Sequence, residues 1–141
     1  MATITDLADA IVTELNATEF ALAFEAVRAY APRFDLEEMD TLRVSVVARA
    51  IEIITLTRSE FQHDYQVDVA VQQKFSAETN LALDPLMGLV EEIDRHFEGM
   101  RLASPDAICV RVANAPIYAP EHIKEKRMFT SVITLTWRML S

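Results

Sequence analysis

Three histidines and one cysteine are the residues of this 141-residue chain best suited to acid–base, metal or nucleophilic chemistry. His63, His96 and His122 are scattered, and none has a His or Cys neighbour at metal-ligand spacing. Each fits a satisfied core or interface imidazole better than a ligand or a general base. Cys109 has no base near it in sequence and fits a small buried hydrophobe. A lone cysteine also excludes an intramolecular disulfide and suits a reducing compartment or a role indifferent to thiols. Carboxylates pair at Glu37–Glu38 and Glu91–Glu92, the second on the water side of a helix, where charge is simply solvated. Gly88 and Gly99 are the only glycines, so no phosphate-cradling loop is present. No acid–base pair, metal set or nucleophile constellation emerges, and the expectation is a protein that is not an enzyme and carries no cofactor or metal.

Binding chemistry is better represented. Asp35, Glu37, Glu38 and Asp40 form an acidic turn that is either solvated or docks a basic partner. From Pro116 to Arg127, Ile117, Tyr118 and Ile123 are interleaved with Lys124, Lys126 and Arg127. That mixture suits a protein–protein contact, with a self-packed surface loop as the plain alternative. A third candidate is the polar row Gln62, Asp64, Gln66 and Asp68, which is either an ordinary wet sheet face or the wall of a passage that repels DNA. The net charge of −9 argues against tight nucleic-acid binding.

The elements that position these groups are readable from periodicity. Phe61 to Phe75 alternates Phe61, His63, Tyr65, Val67, Val69, Val71 and Phe75 against mostly polar residues. A period of two over this length means one strand with a dry and a wet face, about 50 Å long at roughly 3.3 Å per residue. It needs antiparallel neighbours. Further strands are expected at Glu19–Tyr30 (where the many alanines leave a helix as the alternative), Leu42–Ala48, Glu52–Thr57, Ala107–Ala113 (Ile108, Val110 and Val112 on one face) and Met128–Met139. Residues 3–16 carry a helical stripe of Ile4, Leu7, Ile11 and Leu15 opened by a Thr3/Asp6 capping box. A second helix starts at Asp84–Pro85, buries Leu86, Leu89, Val90, Ile93 and Phe97, and stops at Gly99; Ser76–Asn80 is a linker. The chain reads as one domain, 1–141, of α+β class: a mainly antiparallel twisted sheet with two α-helices packed on one face. Trp137, Phe129, Tyr65, Val67, Val69, Leu89 and Ile93 should meet in its core. With 51% apolar residues disorder is not expected, and no apolar run nears the ~20 residues of a membrane span.

The segments FQHDYQVDVAVQQKF, DPLMGLVEEIDRHFEG and PIYAPEHIKEKRMFTSVITLTWRM, in this order of elements, resemble small neck proteins of long-tailed bacteriophages. The tail terminator (tail completion) group is the nearest in texture. The resemblance implies a structural virion protein made in the host cytoplasm, forming a homohexameric ring on the head-proximal end of the tail tube. Such a ring ends tube polymerisation, meets a head-side connector, and lets DNA pass without specific binding. Ring closure needs two different patches, for which the 116–127 loop and the strand near Glu19–Arg28 are the candidates. A connector or stopper, a minor tail protein, and a small dimeric ligand-binding or regulatory domain are the alternatives.

Overall fold

The computed structural model describes residues 3–30, 42–75, 80–103, 106–115, 117–126 and 128–140. The acidic turn Asp35–Asp40 and Arg127 lie outside these residues, as do the side chains of His122, Glu125 and Lys126. The fold is α+β: a six-stranded, mostly antiparallel sheet with helices α1 (Ile4–Ala17) and α2 (Asn80–Phe97) on one face.

The sheet runs β1 (Ala26–Ala29), β2 (Arg43–Thr55), β3 (Phe61–Lys74), then β6 (Met128–Leu140), β5 (Asp106–Ala113) and β4 (Arg101–Ala103). The long strand read from the sequence is β3, and it pairs antiparallel with β6 from Gln62↔Leu140 to Lys74↔Met128. Only β1 is parallel to its neighbour. The dry face holds Val44, Val46, Tyr65, Val67, Val69, Val71, Ile133, Leu135 and Trp137 in one core with Leu7, Ile11, Leu15, Leu89, Ile93 and Phe97. α1 lies over β1 and β2, and α2 over β6 and β5.

α1 opens as expected. Thr3 Oγ1 accepts from Asp6 N at 3.2 Å, and Thr3 N donates back to Asp6 Oδ2 at 3.1 Å. Gly99, at φ 69°, supplies the left-handed turn beyond α2.

Several expectations are corrected. α2 begins at Asn80, so Pro85 lies inside it and residues 80–84 are helix rather than linker and cap. The proline costs the bond its missing N–H would give to Leu81 O, and the first turn stays exposed. Of Glu19–Tyr30 only Ala26–Ala29 enters the ladder. Phe20 and Phe24 instead stack at 5.5 Å from irregular backbone, and Asn16 grips Ala26 through its main-chain N and O at 2.8 and 3.1 Å.

Two bulges account for the other differences. The two strands expected across Leu42–Thr57 are one strand, bulged between Ala48 and Ala50. In β5 a bulge between Cys109 and Arg111 breaks the expected face: Cys109 is buried and Ile108 and Val110 are exposed. The polar side of β3 is not wet throughout either. Ser45, Ala70, Gln72 and Thr130 are all buried, so both faces are shielded at that end of the sheet.

Candidate functional site

Towards the other end the polar face is open and curled. Ala50, Ile51 and Glu52 of β2 share a trough with Asp64 and Gln66 of β3, Arg138 of β6 and Arg111 of β5. An adjoining basin of about 400 Å³ is lined by Arg49, Gln66, Arg111, Tyr118, Val132 and Thr134.

The four polar residues read from β3 do share this face, yet they do not make an acidic wall. Arg138 forks onto Asp64, with Nε at 3.0 Å from Oδ1 and Nη2 at 3.3 Å from Oδ2. The same bond raises the guanidinium pKa. Gln62, with its amide oxygen turned inward, accepts from Arg138 at 3.1 and 3.2 Å. Asp68 accepts from Thr134 Oγ1 at 2.8 Å, and Arg49 Nη1 donates to that hydroxyl at 3.1 Å. Arg49 also meets Asp68 at 3.5 Å. Charge on this face is therefore balanced locally, because the bulge in β2 and the register of β6 bring arginines onto the acids. The side chains of Arg111 and Glu52 make no hydrogen bond or ion pair among the described residues.

Residues 117–126 fold back on their own chain. They carry a short helix, α3 (Pro120–Lys126), which buries Ile123 in the core. Ile117 packs against the same core and its carbonyl accepts from Ser131 Oγ at 2.5 Å, while Tyr118 lies 6.2 Å from the Phe129 ring. Ile123 is thus buried and Ile117 half-buried in the chain's own packing, while Lys124 is exposed.

Groups able to do chemistry are apart. His96 Nε2 meets Glu14 Oε1 at 2.9 Å and packs edge-on to Phe20, a brace between α1 and α2. His63 stands edge-on to Tyr65 on β3. Burial pushes the Cys109 thiol up to about 11, away from thiolate reactivity. Among the described residues no three of His, Cys, Asp and Glu converge as a metal site.

Asp94 on α2 is a carboxyl whose environment opposes its charge. Burial raises its pKa, Glu91 adds to that, and a 3.4 Å bond from Asn114 Nδ2 only partly offsets it; Oδ1 is buried without a partner. Because the folded pKa lies above the unfolded one, stability falls as pH rises from the ordinary carboxylate value through the raised one. Asp94→Asn is therefore expected to stabilise by about 1 kcal/mol at neutral pH, with the gain fading on acidification. Urea melts at several pH values will read this.

The surface that sequence reasoning missed is the β2–β3 hairpin. Beyond Ala48 both faces of β2 reach water, and Ile51, Ile53 and Leu56 are 53%, 56% and 49% exposed, with Ile54 and Phe61 beside them. Thr57 closes the tip, its Oγ1 accepting from Ser59 N and Glu60 N. A signal was present: Ile53 and Ile54 are adjacent, so EIITLT is apolar on both faces while its partner strand begins with alternating polar residues.

No family model matches this chain, and no curated protein matches it at a significant level.

Proposed function

We propose that this chain is a ring-forming neck protein of a long-tailed phage, acting as the tail terminator. The observation that carries the reading is the apolar hairpin, Arg49 to Phe61, which projects beyond the helices that cover the rest of the sheet. Exposed apolar surface of this kind, on a ribbon too thin to be stable alone, suits a subunit completed by neighbours. The resemblance of the three segments to phage neck proteins supplies the setting. A charge-balanced polar face without a catalytic constellation among the described residues agrees with a structural role. On this reading six copies cap the tail tube and meet a head-side connector, and DNA passes through the ring.

The test is capping. Purified protein mixed with growing tail tubes should halt elongation at one end and appear there as a ring by electron microscopy. Tubes that grow unchanged, with the protein staying a monomer or dimer by native mass spectrometry, would overturn the assignment. A dimer holding a small molecule in the trough would point to a ligand-binding domain instead.

A further inference from the structure

The margins of the sheet are unequal. On one side β1 pairs only Val44 to Val47, so beyond the bulge the outer edge of β2 has no strand beside it among the described residues. From Arg49 to Thr55 that edge carries only two charges, Arg49 and Glu52, and no proline. Native edges are usually blunted by charge, proline or cover. On the opposite side β4 pairs β5 only from Asp106 to Ile108, and Cys109 N reaches Met100 O at 2.7 Å. Past that point the edge of β5 has no strand beside it among the described residues either, and it carries Val110, 42% exposed, next to Arg111.

We propose that the hairpin of one copy docks edge to edge on the β5 margin of a second copy, with Glu52 meeting Arg111. The faces match: Glu52 and Ile54 lie on the polar side of their sheet, as do Ile108 and Arg111. Joined edges would set Ile54 near Val110, and put the two unpaired charges together. Another exposed apolar pair at a sheet margin, Val27 on β1 and Tyr30 just beyond it, is already guarded. Arg28 is held by Asp9 at 2.8 Å and lies 5.7 Å above the Tyr30 ring. The contact joins two different patches, so it repeats around an axis and can close. It deepens the ring reading and rests on it.

The experiment is a charge swap read by native mass spectrometry and by ring formation on tail tubes. Glu52→Arg alone and Arg111→Glu alone place like charges at every contact and should weaken assembly about tenfold or more. Mixed one to one, the two variants present opposite charges at every alternating contact, and rings should return. Ile53→Lys should also abolish assembly with its melting curve unchanged, since this side chain faces water in the single copy. Single variants that assemble like the parent would sink the docking while leaving the ring reading intact. So would weakened variants that the mixture fails to rescue. A parent chain that never assembles, alone or on tubes, would remove both.

Discussion

Val69→Asp yields no folded protein. Val69 is fully buried in the middle of β3, with Val46 on one side and Ile133 on the other, under the two helices. An aspartate there would have aliphatic lateral neighbours, Val46 and Ile133, and no arginine or lysine beside it in the register. Placing an unpaired carboxylate in such a site costs on the order of 5 kcal/mol or more even after its pKa rises to neutralise it, comparable with the whole stability of a domain this size. The protein should go to the insoluble fraction, and any soluble remainder should lack a cooperative melt by circular dichroism. Ile53→Asp is the matched control. It shares the dry side of the sheet but sits in the hairpin, opposite His63 and more than half exposed. It should fold and melt close to the parent. Two folded variants would mean that the helices do not cover β3; two unfolded ones would mean that the hairpin packs inward.

That contrast shows what periodicity can and cannot deliver. Alternation along β3 and into Phe75 put Tyr65, Val67, Val69, Val71 and Phe75 on the dry face, where they are buried, because a period of two is a local property of an extended chain. It could not say how far the helices reach, so Phe61 looked like core and is exposed, while Ala70 and Gln72 looked wet and are buried. Parity also fails wherever a residue is inserted. The bulge at Ala48/Ala50 moved Ile51 and Ile53 onto the face already used by Val44 and Val46, and the bulge at Cys109/Arg111 separated Ile108 from Val112. The polar face was legible as a set of residues but not as an electrostatic surface. Arg138 reaches Asp64, and Arg49 reaches Asp68, only through the strand register. In the 116–127 segment composition left a contact and a self-packed loop both open, and the structure buries Ile123 in the chain's own core with Ile117 packed against it.

Trp137 offers the second large effect, and its value lies in an asymmetry between two substitutions. The indole is fully buried on β6, between Tyr65 of β3 and Cys109 of β5, and meets the Phe97 ring of α2 edge-on at 6.0 Å. Its Nε1–H is buried with no acceptor among the described residues. Trp137→Ala removes the whole ring from a packed site and leaves a cavity, at a cost of about 3–5 kcal/mol. Trp137→Phe keeps most of the volume and the edge contact with Phe97, and it removes a donor that gains nothing where it stands. Its cost should stay below about 2 kcal/mol, well short of the alanine variant. Urea midpoints at unchanged slope will give both numbers. If the phenylalanine variant falls as far as the alanine one, the indole N–H has a partner, and the junction of α2 with β5 is held by a polar bond as well as by packing. That junction supports Cys109 and hence the strand carrying Ile108, Val110 and Arg111, so Trp137→Ala should also weaken assembly beyond what its melting temperature accounts for.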